Sequence, residues 1–327
     1  MLTPRDLDQG APARRPWAGL KPIGPWRQSF QEPPCRGDQA QSCQADSMTA
    51  PAPRPWAGLK PSDVWRWPLP ELPRRGDRLL ARLAGLFALG TLSEIEGWER
   101  VHPRNDPFLL VANHSSRREV LVLMAILLLA RGGRPVRFLA DWNFRLIPGV
   151  GHLYDRSGAI SLTRKDARPR FLNRLKPMFE PAVPAYEQAL RHLKRGGSLG
   201  IFPEGRVNRG GSRLLRGRRG AARLSLQAQV PVVPAGIRFA RRDPRTGDVD
   251  TSSPMTIRFG EPMNLPPSPR LPPPREAVSD WHAQLMAAIA VQCGKDWSSS
   301  RDTDRPRTGL RAPETRFVEP RTGDAPC

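Results

Sequence analysis

Two hydrophobic periodicities alternate along the middle of the chain. Six short segments have the apolar character of strands: FLLVAN (108–113), VRFLAD (136–141), GHLYDRS (151–157), SLGIFP (198–203), VPVVPAGIRF (230–239) and MTIRFG (255–260). Helical periodicity is found at about 116–131, 184–194, 218–229 and 275–292. Because strands alternate with helices, the pattern predicts an α/β fold, in which helices cover a layered sheet.

The two ends of the chain do not share this pattern. Many of the 38 prolines lie in these ends, and RPWAGLKP occurs twice, at 15–22 and 54–61. Met48 precedes the second copy, which indicates either a local duplication or a start at Met48. We predict a disordered Pro-rich tail over 1–70, a globular domain over 71–293 and a disordered polar tail over 294–327.

The charge of the chain predicts a polyanionic partner. The formal net charge is +21 over 327 residues, which suits an anionic membrane or a nucleic acid. The apolar runs 79–92 and 120–130 are shorter than the roughly 20 residues that a membrane span needs. The first run carries arginines, so it is either an interfacial helix or an ordinary packed helix. Aromatic residues do not interleave with the basic clusters, so we expect no specific nucleic-acid partner.

The four cysteines form no CxxC pair. This spacing predicts neither a metal site nor a disulfide framework, and it fits a reduced cytosolic setting.

His114 and Glu119 are the first candidates for chemistry. His114 follows a predicted strand, and ligands gather at the carboxyl ends of such strands. A carboxylate on one imidazole nitrogen would make the ring a general base. Positions five apart on a helix differ by about 140°, so His114 must lie in the loop before the helix. Alternatively, Ser116 and Glu119 form a capping box, in which Glu119 accepts a bond from the Ser116 backbone and His114 is structural.

Three further segments carry candidate binding residues. IFPEGRVNRGG (201–211) combines glycines with arginines that suit a phosphate, or it is a solvated basic loop. Arg156 follows a predicted strand and is either a phosphate ligand or a surface residue paired with Asp155 or Asp166. VPVVP (230–234) suits an edge strand or a channel wall, or it is plain core.

Four blocks in this order resemble the lysophospholipid (1-acyl-sn-glycerol-3-phosphate) acyltransferase family. They are NHSSRRE (113–119), GHLYDR (151–156), FPEGRVN (202–208) and VPVVP (230–234). The similarity covers roughly 79–292, about two thirds of the chain. It implies a glycerol-3-phosphate acyltransferase-like αβα fold. It also implies a one-step acyl transfer from acyl-CoA or acyl carrier protein, with no metal, no other cofactor and no acyl-enzyme.

The resemblance also implies residue roles. His114 would deprotonate the acceptor hydroxyl, and Glu119 would orient His114. The remaining predicted positions bind substrate: Arg156, Phe202, Pro203, Glu204, Gly205 and Arg206 on the acceptor side, and Pro231 and Pro234 near the acyl group or thioester.

Two positions depart from the family pattern. Glu119 stands where the family has Asp, and a misplacement of about 1 Å can cost on the order of 100-fold in rate. Arg206 stands where Thr is usual, and Val207 where Arg is common. These departures leave the identity of the acceptor open.

The predicted protein is a peripheral enzyme at the cytoplasmic face of an anionic membrane that converts 1-acylglycerol-3-phosphate to phosphatidic acid. One alternative is another acceptor, such as a lyso-ornithine lipid or a different lysophospholipid. The other is an attenuated, non-catalytic basic binding protein.

Overall fold

A seven-stranded sheet forms the centre of the molecule. The computed structural model describes residues 58–147, 150–163, 165–167, 169–266 and 271–299. The strands are β1 (Leu92–Glu96), β2 (Leu109–Ala112), β3 (Arg137–Asp141), β4 (Ile160–Leu162), β5 (Leu199–Ile201), β6 (Val232–Phe239) and β7 (Met255–Phe259). Their order across the sheet is β1-β7-β6-β2-β5-β3-β4. All neighbouring strands are parallel except β6 and β7.

The described residues also form seven α-helices. They are α1 (Pro61–Trp65), α2 (Arg75–Leu89), α3 (Arg117–Ala130), α4 (Val150–Arg156), α5 (Ala185–Lys194), α6 (Gly220–Ala228) and α7 (Arg275–Cys293). Short 3₁₀ segments lie at Trp98–Val101, Pro103–Asn105, Trp142–Leu146 and Arg170–Phe179. No helix of the described residues is long and apolar enough to cross a membrane.

Two hydrophobic cores sandwich the sheet, because successive side chains of a strand point to opposite faces. Leu110 and Ala112 of β2 pack in one core with α2 and α3. Leu109 and Val111 pack in the other core with α5, α6 and α7. This arrangement confirms the predicted α/β layered sheet.

Close packing brings the end of α7 to the centre of the sheet. A Cβ atom added to Gly236 in β6 would lie 2.1 Å from the backbone carbon of Gln292, so only glycine allows this approach. The chain that leaves α7 therefore passes over the strands β6 and β2.

One predicted strand is wrong. The segment 151–157 lies mostly in α4, and β4 begins at Ile160. Seven residues fit either periodicity, so tertiary contacts decide between them. Here the Tyr154 hydroxyl donates to the Ala140 carbonyl of β3 at 2.9 Å, which fixes the helix against the sheet.

The domain boundaries also need correction. Val64 in α1 is fully buried in the first core, so part of the segment assigned to the N-terminal tail is folded. Lys295, assigned to the C-terminal tail, is only 8% exposed. The rest of both predicted tails, residues 1–57 and 300–327, lies outside the described residues.

Candidate active site

The site begins where the chain leaves β2. Asn113 is fully buried, and its amide makes two hydrogen bonds to Ile237 of β6. The Asn113 Oδ1 atom accepts from the Ile237 backbone nitrogen at 2.7 Å, and Nδ2 donates to the Ile237 carbonyl at 3.0 Å. These bonds fix the direction of the next residue, which is His114.

His114 and Glu119 are in direct contact. The distance from His114 Nδ1 to Glu119 Oε1 is 2.7 Å, and the same oxygen accepts a bond from the Ser115 backbone nitrogen at 2.6 Å. His114 lies in the loop before α3, as predicted, and Glu119 lies in the first turn of the helix. The longer glutamate side chain therefore reaches the imidazole ring.

The start of α3 is capped while Glu119 holds the ring. Ser116 is the N-cap residue, and its hydroxyl accepts a bond from the Arg118 backbone nitrogen at 3.2 Å. Glu119 reaches back to the backbone at Ser115 through the oxygen that also binds His114. Glu119 therefore contacts the backbone at the helix start and the His114 ring together, although the short backbone bond is made by Ser115 rather than by the predicted Ser116.

This geometry suits a proton acceptor. An ionised Glu119 can only accept from Nδ1, which then carries the proton and leaves a lone pair on Nε2. No hydrogen bond of the described residues involves Nε2. Burial raises the pKa of Glu119, while its hydrogen bond with His114 acts in the opposite direction.

Glu204 holds the His114 loop from the other side. Its Oε1 atom accepts from the His114 backbone nitrogen at 2.9 Å. Its Oε2 atom accepts from Asn208 Nδ2 at 2.8 Å and from the Leu215 backbone nitrogen at 2.9 Å. Glu204 is 5% exposed, so in this arrangement it organises two loops.

Phe202 and Pro203 complete the wall beside His114. The Phe202 ring stacks on the imidazole with centroids 4.7 Å apart and an interplanar angle of 29°. Pro203 is buried, and its carbonyl accepts from the Arg218 backbone nitrogen at 2.8 Å. The stack restricts the rotation of the imidazole ring.

Gly205 has no room for a side chain and adopts a backbone conformation that favours glycine. Its φ angle is +67°, and an added Cβ would lie 2.8 Å from Arg218 Nε. Arg206 follows it and is exposed, as are Arg209 and Arg213 further along the loop. This basic loop therefore begins directly after the residues that hold His114.

Pro231 precedes β6 and Pro234 lies within this interior strand, so of the interpretations of VPVVP the edge strand is excluded and plain core fits. Strand β6 lies between β7 and β2. The Pro231 carbonyl accepts from the Leu109 backbone nitrogen at 2.9 Å, and the Pro234 carbonyl accepts from Gly260 at 2.7 Å. The β6–β7 ladder begins only at Ala235, which leaves room for a proline just outside it.

Arg156 belongs to a different environment. It ends α4, and its Nη1 atom lies 3.1 Å from Asp77 Oδ2 of α2. The pair borders a mainly apolar pocket lined by residues of α2, α3 and the start of β3, including Leu80, Ala84, Met124 and Leu128. None of the hydrogen bonds described above around His114 involves Arg156.

Several further residues belong to this site without having been predicted from the sequence. Ser115, Asn208 and Lys295 all contact the residues that hold His114. Asn208 lies within the recognised block FPEGRVN, which gave a signal for it. Lys295 has no local signal, because the tertiary fold alone brings it to the site. The described residues contain no group of three or more His, Cys, Asp or Glu suited to a metal ion.

Comparison with known proteins points to one class. Residues 93–238 match the model of the Acyltransferase family. A chloroplastic 1-acyl-sn-glycerol-3-phosphate acyltransferase of Brassica napus is 26% identical over 142 residues, covering 43% of this chain and 36% of that protein. A lyso-ornithine lipid O-acyltransferase of Pseudomonas aeruginosa is 32% identical, covering 41% of this chain and 44% of that protein.

Two more proteins extend the comparison. The human 1-acyl-sn-glycerol-3-phosphate acyltransferase alpha is 31% identical, covering 45% of this chain and 46% of that protein. The crystal structure of the 1-acyl-sn-glycerophosphate acyltransferase PlsC of Thermotoga maritima is similar with a TM-score of 0.46 and 19% identity, covering 69% of this chain and 86% of that one. The chain spans between a third and a half of the length of the curated relatives.

The chain therefore carries an acyltransferase domain. The predicted resemblance to the 1-acyl-sn-glycerol-3-phosphate acyltransferases is confirmed over residues 93–238, the part of the chain that the family model matches.

Proposed function

We propose that this protein transfers a fatty acyl group to the free hydroxyl of a lysophospholipid, with 1-acylglycerol-3-phosphate as the preferred acceptor. The observation that carries the proposal is the 2.7 Å contact between His114 Nδ1 and Glu119, which leaves Nε2 available as a base. Acyl-CoA or acyl carrier protein serves as the donor.

The proposed reaction forms one tetrahedral intermediate and then breaks it down. His114 Nε2 takes the proton of the acceptor hydroxyl, and the oxygen attacks the thioester carbonyl carbon. The carbon–sulfur bond then breaks, and the imidazolium returns its proton to the leaving thiolate. Glu119 stabilises the imidazolium between these two events. The products are a diacyl lipid and a free thiol, and no acyl-enzyme forms.

The basic loop supports a phosphate-bearing acceptor. Arg206, Arg209 and Arg213 are exposed and follow Glu204, whose carboxylate is bonded to the His114 backbone. Arginine suits phosphate because its planar guanidinium donates two parallel hydrogen bonds. We propose that this loop receives the phosphate of the acceptor.

The apolar pocket supports an acyl ligand. It is bordered by Met124, Ala125 and Leu128, which lie along the same helix α3 that carries Glu119 in its first turn. With a rise of about 1.5 Å per residue, the three lie roughly 8–14 Å along α3 from Glu119. The cavity measures about 30 Å³ in this structure, so we propose that it receives only a terminal segment of one fatty acyl chain.

Two exposed apolar stripes support a membrane partner. Leu79, Leu83 and Phe87 on α2 are each about half exposed, at 46%, 51% and 46%. Phe171 and Met178 in the 3₁₀ segment Arg170–Phe179 are 68% and 63% exposed. Arginines flank both stripes, which suits an anionic interface. We propose that the protein binds the cytoplasmic face of a membrane peripherally.

A mass-spectrometric panel tests the reaction. Purified protein is incubated with one labelled acyl-CoA and a mixture of lysolipids, and the labelled products are identified. We expect labelled phosphatidic acid as the main product, and none with His114→Ala. If no lysolipid acquires the label, the proposed function is wrong.

A lyso-ornithine lipid is the second candidate acceptor, favoured by the Pseudomonas aeruginosa relative. This acceptor has no phosphate, so the basic loop distinguishes the two cases. We expect Arg209→Ala together with Arg213→Ala to raise KM for 1-acylglycerol-3-phosphate more than for lyso-ornithine lipid. An equal increase in KM for both acceptors would contradict a role of the basic loop in phosphate recognition.

Vesicle sedimentation tests the membrane partner. We expect binding to anionic phosphatidylglycerol vesicles and weaker binding to neutral phosphatidylcholine vesicles. Leu83→Asp on α2 should reduce binding, whereas Val291→Asp should not, because Val291 is equally apolar and 72% exposed but lies on α7. Equal losses in both variants would contradict a role for the α2 stripe.

A further inference from the structure

A buried lysine lies next to the residues that hold His114. Lys295 follows α7 and is only 8% exposed. Its Nζ atom donates to the Ser115 hydroxyl at 3.2 Å and to the Gly210 carbonyl at 2.7 Å. Lysine is rarely buried without a specific partner, so this position requires an explanation.

Lys295 connects the two loops of the candidate active site. Ser115 follows His114 directly, and its backbone nitrogen binds Glu119 at 2.6 Å. Gly210 lies in the basic loop, close to Asn208, which binds Glu204. One ammonium group therefore ties the His114 loop to the loop proposed to receive the acceptor phosphate.

The site also needs a positive charge. Two buried carboxylates, Glu119 and Glu204, hold His114 from opposite sides. Among the hydrogen bonds of the described residues, none reaches Glu119 Oε2, although the atom is buried. Buried carboxylates without a nearby cation tend to take up a proton, and a protonated Glu119 could not stabilise an imidazolium as well.

We infer that Lys295 is a positioning residue for the acyl transfer, because its ammonium group joins the His114 loop to the basic loop and brings a positive charge to Ser115, whose backbone binds Glu119. The expected effect of Lys295 on the reaction rate rests on the proposed function. Its expected effect on the titration of Glu119 does not depend on any substrate.

The surroundings of Lys295 are consistent with this role. Burial lowers the pKa of Lys295, and the negative charges of Glu204, Cys293 as a thiolate, and Glu119 act in the opposite direction, with Arg242 adding to the lowering. Burial raises the pKa of the Cys293 thiol to about 11, so this thiol is neutral near pH 7. The negative charges of the two glutamates therefore favour the charged form of Lys295.

The test follows the carboxyl carbon of Glu119 directly. Protein labelled with ¹³C-glutamate is titrated by NMR, and the spectrum of Glu119→Gln assigns the signal. In Lys295→Met, which keeps the length of the side chain but removes the charge, we expect Glu119 to titrate at higher pH than in the wild type. In Lys295→Arg the midpoint should stay close to the wild-type value.

Asp296→Asn is the matched control. Asp296 is the next residue and is exposed, so the variant changes the charge by one without touching the buried contacts. We expect its Glu119 titration to match the wild type. An unchanged midpoint in Lys295→Met, or an equal shift in Asp296→Asn, would overturn the inference.

The rate provides a second readout. We expect kcat/KM of Lys295→Met to fall about 10- to 100-fold at neutral pH, and the acidic limb of its pH profile to move to higher pH. A merely structural role would lower the melting temperature and leave the limb in place. If Lys295→Met does not fold, Lys295→Gln replaces it. If neither neutral variant folds while Lys295→Arg does, Lys295 acts on stability and the inference is wrong.

The two readouts separate this inference from the proposed function. Without acyl transfer in the wild type, the proposed function fails while the NMR titration still decides the role of Lys295. With acyl transfer and an unchanged Glu119 titration, only the inference about Lys295 fails.

Discussion

Two acid–base pairs lie on the same protein with different consequences. Glu119 binds His114 at 2.7 Å beside the carboxyl ends of the strands, and Asp77 binds Arg156 at 3.1 Å beside the apolar pocket. Both carboxylates are buried, with side-chain exposures of 0% and 5%. In both cases the sequence analysis named the basic residue as functional.

The difference lies in what the base can do. Imidazole exchanges a proton near neutral pH, and Glu119 occupies only one of its two nitrogens. A guanidinium remains charged at every relevant pH, so Asp77 can neutralise it but cannot turn it into a base. A buried carboxylate therefore supports the proposed base in the first region and forms an ion pair between α2 and α4 in the second.

Among the variants of the two pairs' carboxylates, Glu119→Gln has the largest expected effect. The amide keeps the size of the side chain but no longer stabilises an imidazolium, and it favours the wrong tautomer of His114. We expect kcat to fall about 10³- to 10⁴-fold, as for the carboxylate of a comparable His–carboxylate pair. Steady-state rates with labelled acyl-CoA measure this, and Asp77→Asn is the matched carboxylate-to-amide control. A smaller loss in Glu119→Gln than in Asp77→Asn would reverse the roles of the two pairs.

Glu119→Asp tests whether the longer side chain is suited to this site. The structure shows that glutamate reaches both the ring and the Ser115 backbone. Aspartate is one methylene shorter, so we expect kcat/KM to fall about 10- to 100-fold unless the loop moves. A gain in activity would instead show that the natural protein is an attenuated enzyme.

Glu204→Gln tests the support of the His114 loop. The amide keeps one acceptor oxygen, but its NH₂ group faces donors, so some of the three bonds to His114, Asn208 and Leu215 are lost. We expect about a tenfold lower kcat, from misplacement of His114, and a loss of about 1–3 kcal/mol in the free energy of unfolding. An increase in the acceptor KM without a change in kcat would show that Glu204 contacts substrate instead.

Arg156→Ala should have the smallest effect on the reaction. It leaves Asp77 buried without its cation, so we expect the free energy of unfolding to fall by about 1–3 kcal/mol. The KM for 1-acylglycerol-3-phosphate should change no more than it does in Asp77→Asn. A raised KM in Arg156→Ala alone would support the phosphate-binding role that the family resemblance implies.

The same two regions show what a sequence can reveal. The strand–loop–helix around His114 was predictable, because β2 is a continuous apolar run and Ser116 caps the helix that follows. The segment around Arg156 was predicted as a strand because seven residues carry too little periodicity to distinguish it from a helix. The local sequence pattern predicted the type of element correctly only where clear start and end signals bounded that element.

Long-range partners were the less predictable part. Glu204 was named through its motif, but its bond to the His114 backbone joins residues 90 positions apart. Lys295 and Ser115 are 180 positions apart, and Asp77 and Arg156 are 79 apart. A single sequence contains no direct signal for such pairings, and a polar segment such as 294–299 resembles a tail until the fold buries its lysine.

The most direct test of the central claim compares His114→Ala with His152→Ala in one assay of labelled acyl transfer to 1-acylglycerol-3-phosphate. His152 is an exposed histidine on α4, so its loss controls for the substitution itself. We expect His114→Ala to lose about 10³-fold or more in kcat while remaining folded, and His152→Ala to match the wild type. Unchanged turnover in a folded His114→Ala protein would contradict the role of His114 as the base.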